Sequence, residues 1–404
     1  MKKRLIAVFT GNRAEYGLQY PILKAIQEHP NLEYRLIVSG AHLDANFGET
    51  LQEIRDDGFE IHAEVKIDMD EDDLFATAQA IGTGILSLSN ELKRINPDIF
   101  VVYADRFEGF AAVITGSQMN IPTAHIEGGD ITEGGALDDS VRHAMTKLSH
   151  LHFTTNQQAS NRILGMGEEP WRVNTVGFPA IDLISQKNFA TPKEIEEKLQ
   201  IDTTKPIVLF TQHSVTTEFN LAREQIKPSL SALQELYETK GYEVIVTYPN
   251  NDAGGRNIIK EIIKIPQPGV KIFRSLGRYF YHGVLALNFN QSRRIVCVGN
   301  SSSGIKETPA FSCPTVNIGS RQDSRLRGDN VIDVDYDSKD IFNAINFCFE
   351  DDSFISKCKK GENPYGEGDA GLKIANVLSE IDLSKSILRK KMTLSGKKEG
   401  DWYS

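Results

Sequence analysis

Apolar residues along this chain fall in short continuous runs rather than in strict alternation. The runs RLIAVFTG, YRLIVSG, DIFVVYAD, PTAHIEGG, LHFTTN and RVNTVG come first. After a polar interval the pattern resumes with PIVLFTQH, YEVIVTYPN, VKIFR, RIVCVGN, PTVNIG and VIDVD. A run that is apolar at nearly every position predicts a strand buried on both faces, as in a parallel sheet. Amphipathic stretches lie between the runs. One is IGTGILSLSNELKRIN, in which Ile85, Leu86, Leu88, Leu92 and Ile95 predict an apolar stripe on a helix. Strand–helix alternation at this pace predicts a doubly wound α/β architecture.

The segment ISQKNFATPKEIEEKLQIDTTKP, residues 184–206, breaks the pattern. It is polar, contains no strand signal, and reads as a linker followed by a helix. Two Rossmann-like domains of similar size are therefore expected, 1–183 and 184–381, facing each other across a cleft. The length of 404 residues suits two domains. Residues 382–404 are basic and polar, and predict a C-terminal helix followed by a frayed end.

Charge and composition narrow the function classes. The net charge is −10, and backbone binding to nucleic acid calls for a basic surface, so no nucleic-acid partner is expected. The basic start MKKRLIAVFTGNRAEYG turns polar too early to span a bilayer and reads as a buried first strand. Runs of about 18 apolar residues are lacking, so no membrane association is expected. Cys297, Cys313, Cys348 and Cys358 form no CxxC pair and read as buried thiols in a reducing cytoplasm.

The informative polar residues sit where the strands stop. The ends read Thr10-Gly11-Asn12-Arg13, Ser39-Gly40-Ala41-His42, Ala104-Asp105-Arg106, Glu127-Gly128-Gly129, Gln212-His213, Pro249-Asn250 and Gly299-Asn300-Ser301. Ligands bind outside the carboxyl ends of strands in open parallel sheets, so both halves are expected to line a site. VGNSSSGIKETPAF predicts a strand, a small-residue loop and a helix starting near Ile305, a cradle for an anion or simply a serine-capped helix. It is neither a Walker loop nor GxGxxG, which disfavours a nicotinamide site. Glu307 can accept bonds from a ribose diol or serve as a helix-dipole carboxylate. His213 suits proton transfer or a structural hydrogen bond, and Arg13 and Arg321 suit a diphosphate or are solvated arginines. His125 and Glu127 have no further ligand cluster beside them, so no metal site is expected.

One segment concentrates titratable groups: HIEGGDITEGGALDDSVRHAMTK, residues 125–147. Its glycines let the backbone approach a ligand closely. Asp138 either caps the following helix or faces a substrate, with Arg142 one turn on. Asp139 and His143 share that spacing and form a possible supporting pair.

Ten pieces taken in order carry a resemblance: TGNRAEYG, SGAHLDANFG, ADRFEGFA, HIEGGD, LDDSVRHAMTKLSHLHF, QHSVTTE, PNNDAG, GNSSSGIKE, TVNIGSRQ and ENPYGEGDA. Together they resemble the hydrolysing branch of the UDP-N-acetylglucosamine 2-epimerases, from sialic- and legionaminic-acid biosynthesis. The resemblance implies a fold like that of the B-type glycosyltransferases. It implies cleavage of UDP-GlcNAc to UDP and N-acetylmannosamine, with no metal or nicotinamide cofactor. It implies a UDP-sugar substrate, a UDP product, a cytoplasmic location and a homodimer or homotetramer.

The implied route breaks the C1–O bond first, sending charge onto UDP. A base then removes the C2 proton to leave a 2-acetamidoglycal, and water adds at C1 while C2 is reprotonated from the opposite face. The resemblance places catalytic roles on Asp105, Glu127, Asp138 and His213. Arg142 would meet the sugar or diphosphate and orient the carboxylates. Ser301 and Ser302 would hold phosphate, Glu307 the ribose, and Arg13 and Arg321 the nucleotide. His42, Arg106, Asn250 and Asp252, in the matching motifs, join them as substrate or UDP contacts.

The chain departs from the family pattern at Ala104, where glycine is common, at Asp130, where glutamate is common, and in a longer loop up to Asp138. Other readings stand beside this one. One is the same reaction on UDP- or GDP-N,N'-diacetylbacillosamine. Another is a non-hydrolysing epimerase or a glycosyltransferase. The last is a non-catalytic nucleotide-sugar binding protein.

Overall fold

The predicted apolar runs are strands, and their burial explains the pattern. A computed structural model describes residues 3–43, 50–67, 74–131, 137–250, 254–265, 270–290, 295–393, 398–399 and 402–403. The first unit holds β1 (Arg4–Thr10), β2 (Leu32–Ser39), β3 (Ile61–Val65), β4 (Ile99–Tyr103), β5 (Thr123–Ile126), β6 (Leu151–Thr154) and β7 (Val173–Thr175). All pair in parallel, in the order β3-β2-β1-β4-β5-β6-β7. The second unit holds β8 (Ile207–Thr211), β9 (Glu243–Thr247), β10 (Val270–Phe273), β11 (Ile295–Gly299), β12 (Thr315–Ile318) and β13 (Val331–Val334). These too are parallel, in the order β10-β9-β8-β11-β12-β13. Both units are thus Rossmann-like.

Alternate residues of one strand enter different cores. Ile6 and Val8 join one apolar cluster, while Ala7 and Phe9 join another on the opposite face. In β4, Ile99, Val101 and Tyr103 face the first cluster, and Phe100 and Val102 the second. Each fully buried aliphatic contributes roughly 1.5–3 kcal/mol, so a strand with no exposed face is stable only between two covering layers. β3 escaped the sequence reading. Its sequence IHAEV is short, half polar and half exposed, as suits the sheet edge. The predicted amphipathic helix spans Leu74–Ile95 and buries Leu88 and Leu92, but Leu86 is 69% exposed and lies outside the stripe.

The polar segment after residue 184 supplies the helix Pro192–Leu199, started by a reciprocal Thr191–Glu194 capping box. Near the C-terminus the chain returns. Contacts group residues 3–130, 137–182 and the chain from Gly368 on in one unit, and Leu183–Glu367 in the other. Residues 368–381, expected in the second domain, therefore pack with the first. The reason is local: the Asp182 carboxylate accepts the N–H groups of Ala370 and Gly371 at 3.0 and 2.7 Å, capping the helix Ala370–Glu380. The tail is also held rather than frayed over residues 384–393. The fully buried Arg172 guanidinium donates to the carbonyls of Ser386, Ile387 and Arg389.

All four cysteines are buried and unbridged, and burial pushes the Cys297 thiol up to about 12. Among the described residues no helix is long and apolar enough to cross a membrane.

Candidate active site

In each sheet the strand order reverses beside the first strand, at β1/β4 and at β8/β11. At such a switch point neighbouring loops diverge and leave room for a ligand at the carboxyl edge. Most of the predicted site residues that are described lie after the carboxyl ends of strands in one sheet or the other.

In the first unit the register matters. Tyr103 of β4 lies opposite Ile126 of β5. The next residue on each strand, Ala104 and Glu127, turns into the left-handed region, with φ of 57° and 65°. A non-glycine residue there costs about 1–3 kcal/mol and persists only where its surroundings hold it. Here the Ala104 N–H donates to Ile126 at 3.0 Å and the Glu127 N–H to Phe153 at 2.8 Å. The buried His125 bonds the Ala104 carbonyl through Nε2 at 2.6 Å. Two adjacent strands thus turn at one level, and Asp105 and Glu127 follow from neighbouring ends. Burial, then the Glu127 carboxylate, pushes the Tyr103 phenol well above its ordinary range.

Arg142 organises the acidic cluster. It lies on the helix Leu137–Leu148 and is buried. Its guanidinium bonds the Asp105 carboxylate, the Asp139 carboxylate at 2.7 Å and the Asp130 carbonyl at 2.8 Å. Asp139, the buried one of the two adjacent aspartates, forms an i,i+3 pair with Arg142. Asp138 sits exposed in the first helical turn. Gly129, with φ of 75°, is required by packing: a Cβ there would meet the Ala159 carbonyl at 2.4 Å. Of the longer loop leading up to Asp138, residues 132–136 lie outside the described residues.

The remaining first-unit positions are quieter. His42 is buried, with Nε2 at 3.1 Å from Thr10 Oγ1, and burial lowers it to about 4. Arg106 is half exposed and leans on Glu108 at 3.4 Å. Arg13 opens the helix Arg13–Glu28, but its side chain lies outside the described residues. A buried carboxyl pair, Glu15 and Glu108, adjoins the β1 end. Burial and then Glu108 raise Glu15 to about 8, while the Gly11 N–H donates to it at 2.9 Å.

The second unit brings its predicted residues together more tightly. His213 follows β8, and its Nδ1 accepts the Asn250 N–H at 3.0 Å. That acceptance assigns the ring proton to Nε2. Burial, then the Arg321 charge, lowers His213 to about 3, so it is a neutral donor. The Asn300 side chain holds the His213 backbone from both sides. Arg321 and Gln322 both donate to the Asn300 carbonyl, at 3.1 and 2.9 Å.

The cradle is smaller than expected. The helix is one turn, Ser303–Lys306, and the N–H groups of Gly304, Ile305 and Lys306 already bond Ser301 and Ser302 carbonyls. Ser301 and Ser302 are half-buried, and Ser301 Oγ accepts the Ser303 N–H at 3.4 Å. The Ser303 hydroxyl donates to Glu307 Oε2 at 3.0 Å, which also bonds His282 Nε2 at 2.7 Å. Burial pushes Glu307 up, but His282, Ser303 and Lys306 together hold it below its ordinary value. Asp252 lies outside the described residues.

Sequence reasoning named Asn300 only as part of a strand end and Asp139 only as a supporting residue, and it missed His282. Asn300 carried a signal, since it follows a strand-ending glycine. His282, inside an amphipathic helix, carried none. Among the described residues no three His, Cys, Asp or Glu side chains gather as metal ligands.

Comparison with known proteins places this arrangement. Residues 24–379 match the family described as UDP-N-acetylglucosamine 2-epimerase. The chain is 34% identical over 390 residues to the UDP-N,N'-diacetylbacillosamine 2-epimerase (hydrolyzing) of Legionella pneumophila, covering 96% of this chain and 98% of that one. It is 33% identical to the UDP-N-acetylglucosamine 2-epimerase of Neisseria meningitidis serogroup B, covering 85% and 86%. The crystal structure of UDP-GlcNAc 2-epimerase from Neisseria meningitidis bound to UDP-GlcNAc shares the fold, with a TM-score of 0.78 at 19% identity over 93% of this chain and 99% of that one. The chain belongs to the UDP-N-acetylglucosamine 2-epimerase family.

Proposed function

We propose that this protein is a hydrolysing 2-epimerase that converts UDP-GlcNAc to UDP and N-acetylmannosamine. The C1–O bond breaks and its electron pair leaves with UDP. A carboxylate takes the C2 proton, forming the C1=C2 bond of a 2-acetamidoglycal. Water then gives its oxygen to C1, and C2 is reprotonated from the opposite face. Cytoplasmic location, assembly as a homo-oligomer and a place in sialic-type sugar synthesis belong to the same proposal.

The observation that carries it is that Asp105 and Glu127 stand at the carboxyl ends of the adjacent strands β4 and β5, where Ala104 and Glu127 are left-handed, with Arg142 fixing Asp105. Two carboxylates set by backbone geometry suit removal and return of a proton. Asp138, exposed on the next helix, is the third acid–base candidate. On the second unit, Arg321, Ser301 and Ser302 are assigned to the diphosphate and Glu307 to the ribose. His213 keeps a catalytic role but a sharper one. With Nδ1 occupied and the ring neutral, it donates from Nε2 to the developing charge rather than acting as a base.

A second substrate reading is favoured by the Legionella relative, whose name specifies N,N'-diacetylbacillosamine and which matches this chain along nearly its whole length. The test is an NMR time course with UDP-GlcNAc and, separately, the UDP-linked diacetylated sugar. Release of UDP with a free 2-epimerised sugar is expected from one of them. A product still joined to UDP would replace this reading with the non-hydrolysing one. No turnover of either sugar would refute catalysis.

A further inference from the structure

The C-terminal segment meets the helix that carries Asp138, Asp139 and Arg142. Lys390 Nζ donates to the carbonyls of Ser149 at 2.6 Å, Lys147 at 2.8 Å and Thr146 at 3.3 Å. These carbonyls lie at the end of the helix Leu137–Leu148, where intrahelical donors run out. A cation there also complements the negative end of the helix dipole. Glu168, fully buried, holds the same ammonium at 2.8 Å, together with Lys147 at 2.6 Å and His152 at 3.0 Å. The chain on either side of Lys390 is fixed. Arg172 binds three carbonyls before it, and the Thr393 N–H bonds the Gly167 carbonyl at 2.8 Å after it.

Thr146 leads on to the strand ends. Its hydroxyl lies 3.3 Å from His125 Nδ1, and His125 Nε2 lies 2.6 Å from the carbonyl of Ala104, the left-handed residue directly before Asp105. Lys390 therefore touches both routes to Asp105: the helix bearing Arg142, and the Thr146–His125–Ala104 relay.

We propose that Lys390 is a positioning residue for the acid–base cluster, holding the far end of the Leu137–Leu148 helix so that Arg142 grips Asp105 and Asp139 in register. The inference rests on the nucleotide-sugar reading above. A twelve-residue helix is a rod about 18 Å long, so displacing one end moves the other.

The test uses the full chain with Lys390→Met, which removes the cation, and Lys390→Arg, which keeps it. With the sugar that the parent protein turns over, kcat of Lys390→Met should fall about 10–100-fold, the scale of a misplacement of about 1 Å. KM and UDP affinity should hold, because the nucleotide groups lie on the other unit. Lys390→Arg should recover most of the rate. Amide hydrogen exchange should quicken along residues 137–148 in the Met variant only. Parent-like turnover by Lys390→Met overturns the proposal, as does an Arg variant no better than Met. If Lys390→Met does not fold, Lys390→Gln takes its place under the same criteria. If the parent protein releases UDP from no sugar, the functional reading fails by itself. The exchange measurement then decides the positioning claim, and unchanged protection ends it.

Discussion

Asn300 grips His213 by both of its backbone groups: Oδ1 accepts the His213 N–H at 2.6 Å, and Nδ2 donates to the His213 carbonyl at 2.9 Å. The two residues end neighbouring strands, β11 and β8, and the imidazole depends on this clamp for its aim. Asn300→Ala removes both bonds and is predicted to lower kcat/KM by about 10²-fold, the scale of a misplaced group. Steady-state kinetics check this. Unimpaired turnover in a folded Asn300→Ala protein would show that the clamp is only structural.

Asp105→Asn, Glu127→Gln and Asp138→Asn are each predicted to lower UDP release by about 10²–10⁴-fold, the range for acid–base groups. Circular dichroism should remain that of the parent. Arg142 keeps Asp139 and the Asp130 carbonyl when Asp105 is neutralised, so the buried guanidinium is not abandoned. Near-normal turnover in any one variant removes that residue from the mechanism.

Gly299 is predicted to tolerate no side chain. Its φ is 120°, and a Cβ would stand 2.0 Å from the Thr211 carbonyl on the neighbouring strand. Gly299→Ala should destabilise the protein by about 2–4 kcal/mol in urea unfolding. A shift much smaller than that would mean that β8 and β11 can separate freely.

Acid should weaken the fold through its buried histidines. Burial lowers His42, His125 and His150 to about 4 and His213 to about 3. Their folded values lie below the unfolded value of about 6.5, so the stability from neutral burial is present above it and is lost as pH falls towards 4. Each adds about 1.4 kcal/mol per pH unit to the slope, and His150→Gln should remove one such increment. Glu15 runs the other way. Its folded value is raised to about 8, mainly by burial, so its contribution is present below the unfolded value of about 4.5 and is lost as pH rises to 8. Glu15→Gln should therefore stabilise the protein by roughly 3 kcal/mol at pH 7 and by almost nothing near pH 4.5. Urea midpoints measured across that range decide both points. A flat profile would mean that these groups are solvated.

Much of the fold was legible because burial on both sheet faces demands apolar residues at every position. That is why IVLFT, IVCVG and IFVVY announce β8, β11 and β4. IHAEV, at an edge, met no such demand and passed unnoticed. The membership of the helix Ala370–Glu380 in the first unit was not legible, since no local pattern says which body a helix will join.

The sequence by itself determined the buried strands, the polar strand ends and the ordered motifs that identify the family, because each depends on residues close together in the chain. Tertiary structure alone decided the partners. Spacing placed Asp138 and Asp139 within a turn of Arg142, but only the fold brings Asp105, 37 residues away, to the same guanidinium. His213 and Asn300 stand 87 residues apart and meet only because β8 and β11 pair in register. Strand order and register set such contacts, and the fold as a whole sets both.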